Sequence, residues 1–348
     1  AGNGGTNGLG AQLTVSFGAF TVTNQLDITA EGFGGEGGNG ATGRGGDGGI
    51  GTAGESGFIA TGSSTQVQTN ILQIISYGLG GDGGESAGIG VAGGSGGAAF
   101  GGTAGLRVAD NAQFTFGQRS VISAGAIGGT GRGGTASSVP GTGGAGGAGG
   151  SVTGGIARLA VENATLIDGP NGNVQIFAGG LAGVSGPGAP DGGLNGAGGD
   201  ALGGLAQLES ASGSITLNSV TVDASALGAR DARGGTASAD FFNFVGTALP
   251  APGTANIASL QLDANASASS LGGSIGLGGA GANAIGGTAA ATMDGAGIVT
   301  QLGSFSATAR AFGGSARQGL DAGTAGADGG TATGGRARFV ATGNSQTT

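Results

Sequence analysis

Few side chains in this sequence can do chemistry, and most of those are carboxylates. Histidine, cysteine and lysine are absent, and 11 arginines stand against 20 Asp and Glu. Ser–His and Cys–His nucleophiles, lysine chemistry and the ordinary zinc and iron ligand sets are thereby excluded. A pair of acids on one face could still cleave a glycosidic bond. The best such pair is Asp223 and Asp263, which share an outward position in successive sequence repeats. Direct stacking of those repeats places their Cα atoms about 4.8 Å apart. Asp27 stands two residues earlier in the pattern, outside that column. Few aromatic residues are present to grip a sugar ring. We therefore read the pair as solvated surface acids, assign no catalytic residue, and expect no enzyme.

Calcium is the next chemistry to weigh, because oxygen-rich loops suit it. Asp47-Gly48-Gly49, Asp82-Gly83-Gly84, Asp191-Gly192-Gly193 and Asp328-Gly329-Gly330 share one pattern. They recur at most once per repeat, not in the nine-residue register of a calcium β-roll, so Asp-Gly is read as a turn. No metal ligand, cofactor-binding residue or cofactor is assigned. Gly128-Gly129-Thr130-Gly131-Arg132-Gly133-Gly134 imitates a phosphate loop, but no Lys-Ser/Thr and no helix follow it. Thr21-Val22-Thr23 and Thr331-Ala332-Thr333 lie at opposite ends of the chain, which is poor support for an ice-binding array. Phe114, Phe116 and most other Phe residues are read as core. Phe177, and one of Phe241 and Phe242, fall in outward positions suited to self-association.

The elements that must position these residues are short strands. Val220-Thr221-Val222-Asp223-Ala224 alternates apolar and variable residues and ends on a small one, the pattern of a strand with one buried face. Versions of it begin at Leu26, Leu72, Ser120, Val174, Val220, Leu260 and Phe305, at steps of 46, 48, 54, 46, 40 and 45 residues. Each is followed by a glycine-rich excursion and then a second strand led in by Gly-Gly-x-Ala, as at Gly101-Gly102-Thr103-Ala104 and Gly234-Gly235-Thr236-Ala237. The first unit departs from this, with Gly57-Phe58-Ile59-Ala60 in the expected place. A short turn, such as Asp110-Asn111 or Ser212-Gly213, leads to a third strand such as Gln113-Phe114-Thr115-Phe116. The fifth excursion is only a few residues long, and that unit carries an insertion around Ala248 to Gly253 instead. The fifth position of the first strand is small (Ala30, Ala124, Ala178, Ala224, Ala264, Ala309), as a tight corner requires.

Glycine supplies 92 of 348 residues with only 6 prolines and no strict Gly-X-Y register, which excludes collagen. Charged residues are 9 % and mean hydropathy is +0.18, the opposite of a disordered chain. The net charge of −9 opposes nucleic-acid binding. No apolar run is long enough for a transmembrane helix. The start, Ala1-Gly2-Asn3-Gly4-Gly5, has no signal-peptide character, so a mature or excised piece of a longer protein is expected. The expected fold is all-β: an elongated parallel β-helix, or solenoid, with glycine-rich sides and imperfect repeats of ~46 residues along a single domain, 1–348. Three strands per coil, or two thinner coils per repeat, fit the spacing. Glycine is expected to serve close backbone approach and positive φ at corners. The glycine-rich spans fit either β sides or a bundle of polyproline-II strands, with Gly143 to Gly150 the clearest candidate for the latter.

With strands such as Val174-Gln175-Ile176 and Val220-Thr221-Val222 and lead-ins such as Gly234-Gly235-Thr236-Ala237, the chain resembles the glycine-rich β-helical repeat regions of large bacterial surface adhesins, of the autotransporter and filamentous-haemagglutinin kind. The run from Gly143 to Gly150 also resembles mycobacterial glycine-rich surface proteins. The resemblance implies an extracellular or cell-surface structural protein: an adhesin stalk, or a self-assembling surface or biofilm-matrix filament. Its expected partners are copies of itself, end to end or laterally, and cell-surface or matrix glycans. The alternative is a calcium- or glycan-binding solenoid module.

Overall fold

A strand with alternating apolar residues must stack its buried face on something, and here it stacks on its own copies. The computed structural model describes residues 10–242, 253–268, 282–294, 299–315, 328–342 and 346–347. Among the described residues every regular element is a strand. The strands form four parallel sheets of eight, nine, seven and seven strands, each joined turn to turn in sequence order. The fold is a parallel β-solenoid. No helix among the described residues is long and apolar enough to cross a membrane.

One sequence repeat makes one turn. Leu26 pairs with Leu72, Leu72 with Ser120, Ser120 with Val174, Val174 with Val220, Val220 with Leu260 and Leu260 with Phe305. Each turn runs up a back strand such as Thr103–Ala109, turns sharply, and follows a long strand such as Gln113–Ser123. The long strand joins the third strand of one repeat to the first strand of the next. A register break between Phe116 and Arg119 bends it, setting Gly117 and Gln118 opposite the single Asn70; Phe114, Phe116, Ser120 and Ile122 all face inward. The turn between back and long strands uses left-handed Asp110, Asn111, Asn163 and Ser212, residue types that tolerate positive φ through short polar side chains.

The back and long sheets enclose the core. Phe58, Leu106, Leu159 and Leu208 stack in register on one side, and Ile74, Ile122, Ile176 and Val222 on the other. All are at most 1 % exposed. Phe58 meets Phe114 edge-on, with ring centroids 5.4 Å apart.

Beyond the long strand a two-residue strand, such as Ala126–Ile127, starts the outbound arm of the glycine-rich excursion, and another, such as Val152–Thr153, ends the return arm. Between them the hydrogen bonds recur every third residue. The N–H groups of Gly34, Gly37 and Gly40 donate to the carbonyls of Leu79, Asp82 and Glu85 in the next turn at 2.7–2.8 Å. Gly128, Gly131 and Gly134 donate likewise to Leu181, Val184 and Pro187 at 2.9 Å. A period of three is that of the polyproline II helix, which has no bonds within itself and must bond to neighbours. The open choice between β sides and polyproline-II strands is settled for the latter.

These arms form a two-layer blade. Outbound arms stack on outbound arms and return arms on return arms, as in Gly93 to Ala145 at 2.9 Å and Gly96 to Ala148 at 2.7 Å. The layers are sewn together by the other glycine of each triplet. Gly147 and Gly150 donate across to Arg132 and Gly129 of their own turn, and Gly183 and Gly186 of the following turn donate to Gly150 and Gly147. In a Gly-Gly-X triplet both glycines face neighbouring backbones and X faces solvent. A Cβ on Gly147 would sit 1.8 Å from the Gly94 carbonyl oxygen, inside any contact distance. Positive φ is a minor use of glycine: among the described glycines it occurs only at Gly18, Gly62, Gly90, Gly141 and Gly192.

Gly-Gly-x-Ala closes the neck between blade and core. The second glycine donates to the carbonyl of the small residue where the excursion began: Gly155 to Ala124 and Gly204 to Ala178 at 2.6 Å, Gly235 to Ala224 at 2.8 Å. The first glycine lies so close that a Cβ on Gly203 would stand 2.0 Å from the Ala224 oxygen. Pairing of Glu55 with Thr103 corrects the first unit: its counterpart of the motif is Ala53-Gly54-Glu55-Ser56, four residues before Gly57. Ala53 has the Cβ that the other turns avoid, and its Gly54–Ala30 bond is stretched to 3.2 Å. The insertion at Ala248 to Pro252 lies outside the described residues.

Steric demand at the blade can be separated from glycine content. Gly147→Ala is expected to lower the unfolding midpoint sharply, by about 3 kcal/mol or more of local stability. Gly35→Ala, where nothing lies within 4 Å of the added methyl, is expected to be neutral or slightly stabilising. Thermal melts of the two variants beside the parent chain check this.

Candidate functional site

The candidate acids lie where the long strand ends. Asp223 and Asp263 are register partners on adjacent turns, both on the outward face of strands whose Val220, Val222, Leu260 and Leu262 are buried. Their carboxylates are held locally. The Ser225 N–H donates to Asp223 Oδ1 at 2.8 Å. Gln261 Nε2 donates to Asp263 Oδ2 at 2.5 Å, and the Thr308 hydroxyl donates to Asp263 Oδ1. Burial pushes the Asp223 carboxyl above its ordinary value, the bonds from Ser225 oppose this, and the Asp263 charge adds to the rise. Asp27 pairs with Gln73 in the row of Thr221, two residues before the row of Asp223.

At Asp47 and Asp82 the Asp-Gly-Gly motif has a different use from a turn. Asp47 and Asp82 occupy X positions of the blade. In a Gly-Gly-X triplet the X amide is the one the glycine bonds leave over. Asp82 Oδ1 accepts the N–H of Thr130, the X residue one turn on, at 2.8 Å. Asp47 Oδ1 does the same for Ser95 at 2.8 Å. Asn39 caps Glu85, Asp231 caps Asn283 and Asn283 caps Thr331, at 2.8–2.9 Å. Arg44 and Arg132 pair with Asp47 and Asp82 at 2.6 and 3.4 Å. Asp191 lies in a turn at the blade tip and accepts the Ser137 N–H, while Asp328 is exposed. Among the described residues no three of Asp, Glu, His or Cys come together as a metal site.

The phosphate-loop lookalike has most of its amides occupied, with Thr130 donating to Asp82. Gly128, Gly129, Gly131, Arg132 and Gly134 all donate to neighbouring turns. The Thr-x-Thr stretches lie on strands of different sheets. Phe114, Phe116 and Phe241 are core, at 0–2 % exposed. Most Phe residues are not: of the described ones only these and Phe58 are buried, and Phe17, Phe33, Phe100, Phe305, Phe312 and Phe339 are exposed. Phe242 alternates outward, and Phe244 lies outside the described residues. Phe177 is outward and lies with Tyr77 over the corner glycines: a Cβ on Gly125 would meet both rings at 2.8 Å. An open trough of about 700 Å³ follows the stacked Gly-Gly pairs from Gly203 to Gly335, with Arg233 and Arg336 on its walls.

One surface feature escapes a residue-type search altogether. Phe33, Leu79, Ile127, Leu181, Leu227, Ser267 and Phe312 form a single register column along the outbound face of the blade. Six of the seven are large and apolar, yet Phe33 is 63 % exposed, Leu181 42 %, Leu227 45 % and Phe312 55 %. The signal is present in sequence: each stands three residues after the small corner residue, as in Ala178-Gly179-Gly180-Leu181 and Ala309-Arg310-Ala311-Phe312. Among the described residues the surface feature that recurs in every turn but one is therefore an apolar column of fixed register.

The Asp223–Asp263 contact has a pH signature. A carboxyl raised in the folded state contributes stability that is present below its unfolded value, near 3.9, and lost as pH rises through the folded value. Asp223→Asn keeps an acceptor for Ser225 and removes the half-buried charge. It is expected to raise stability at neutral pH by about 0.5 kcal/mol, the size of a like-charge cross-strand pair, with the gain vanishing near pH 3. Melts of both proteins between pH 3 and 7 measure it; a loss at pH 7 contradicts it.

No family model matches the sequence, and no curated protein or solved structure matches it, so its function is argued from this geometry.

Proposed function

We propose that the chain is an extracellular structural repeat protein, serving as the stalk of a bacterial surface adhesin or as a self-assembling surface or matrix filament. One observation carries the proposal: a set of Asp and Asn side chains along the blade is spent on the next turn, while a regular column of large apolar side chains is left outward. Asp47, Asp82, Asn39 and Asn283 cap backbone amides one turn away. Such groups extend a stack and leave little to recognise a soluble substrate. A stack of this kind grows by adding turns without changing its cross-section. Five of the ten described arginines pair with acids of their own or a neighbouring turn, as Arg107 with Glu162 and Arg158 with Glu209. An exposed apolar surface repeated at a fixed spacing marks an association site more often than a catalytic one.

Negative-stain electron microscopy of the purified chain over a concentration series tests this. Particles of constant width that join into longer rods or filaments as concentration rises are expected. Separate monomers at the highest concentration would rule out filament formation by this chain.

A further inference from the structure

The outbound apolar column is self-complementary when two copies lie antiparallel, and we propose that it is the contact face of a two-fold antiparallel dimer of this chain. This rests on the structural reading above and names the partner as a second copy, joined laterally.

The column is flanked by two others on the same face. Two residues before each member, hence on the same side of a short strand, stand Glu31, Tyr77, Gly125, Gly179, Ser225, Asn265 and Arg310. Three residues after, hence one polyproline turn on, stand Glu36, Asp82, Thr130 and Val184, with Ser315 in the last turn. Charge on this face is thus acidic at its first turn and basic at its last. Glu31, Glu36 and Arg310 are exposed, and none of them forms an ion pair among the described residues.

A two-fold axis across the column at Leu181 reverses the turn order and keeps each column opposite itself. Leu181 meets Leu181 and Val184 meets Val184. Ile127 meets Leu227, and Phe33 meets Phe312. Glu31 of each copy then faces Arg310 of the other, and Glu36 faces Ser315. A parallel face-to-face pair exchanges the flanking columns and sets Glu31 against Glu36 at both sites. Charge therefore selects the antiparallel arrangement, and the apolar column supplies a central area rimmed by polar groups, the usual anatomy of an interface. Identical spacing along both copies keeps every turn in step, which an unrelated partner lacks. A C2 contact of this kind closes on itself.

Sedimentation equilibrium of the 348-residue chain, with a thermal melt of each variant to show that the exposed site leaves the fold intact, provides the test. The parent is expected to dimerise, and Leu181→Arg, which sets two like charges on the axis, to weaken dimerisation at least 100-fold. Glu31→Arg and Arg310→Glu are each expected to weaken it about tenfold, since each turns two attractive rim contacts repulsive. The double exchange E31R/R310E, which keeps the net charge of −9, is expected to return to within about threefold of the parent. A tighter dimer with Glu31→Arg alone would establish the parallel pair and overturn the proposal. A monomeric parent, or a dimer indifferent to Leu181→Arg, would overturn it as well. Monomers that still join end to end in micrographs would leave the structural-rod function standing and remove only this lateral contact.

Discussion

Close approach of backbone to backbone between successive turns is the constraint on which the rest of this structure depends. In the blade there is almost no side-chain interior. Its arms are held by N–H groups of alternate glycines reaching carbonyls of the neighbouring turn and the opposite layer, at separations that leave no room for a Cβ. Buried peptide groups must be paired, and extended arms cannot pair within themselves. Each arm is therefore ordered only by its neighbours, and the composition follows. Glycine is used less for its freedom than for its missing side chain.

The blade cannot stand alone, and the core accounts for how it is supported. Large apolar side chains are buried in the prism between the back and long sheets, where Phe58, Leu106, Ile122 and Val222 stack turn on turn, while the base of the blade buries mostly alanine, as at Ala126 and Ala266. The in-register core sets one rise per turn, and the blade inherits that rise through the neck bonds from Gly155, Gly204 and Gly235. Side chains at X positions then complete the pairing of the one amide per triplet that glycine leaves over. Asp82 and Asp47 look like calcium ligands or turn residues in sequence because the same oxygen-bearing side chains suit all three tasks.

Much of the prism was legible in the sequence. The first residues of the seven strand patterns, from Leu26 to Phe305, are register partners, because a period of two with one buried face leaves a strand a single way to stack. Phe114 and Phe116 were readable as core for the same reason. The bend at Phe116 was not, since two residues opposing one changes no local pattern. Nor was the choice between strand and polyproline arms, because glycine carries no side chain whose periodicity could report its backbone. The lead-in of the second turn was misplaced at Gly57 because Ala53 breaks the Gly-Gly spelling while keeping the position. Asp223 and Asp263 are legible as side by side, yet their hydrogen bonds to Ser225, Gln261 and Thr308 depend on a corner residue and two other strand positions. The apolar column from Phe33 to Phe312 is marked in the sequence only by a constant offset of three residues from the corner, not by residue type.

Residue-resolved hydrogen exchange tests the central claim most directly. The amides of Gly129, Gly131, Gly147 and Gly150, and the capped amide of Thr130, donate within the blade. They are expected to exchange as slowly as the strand amides of Val220 and Val222. Glycine amides exchanging at unfolded-chain rates while Val220 and Val222 stay protected would show an ordered prism with unpaired arms, and would contradict the account.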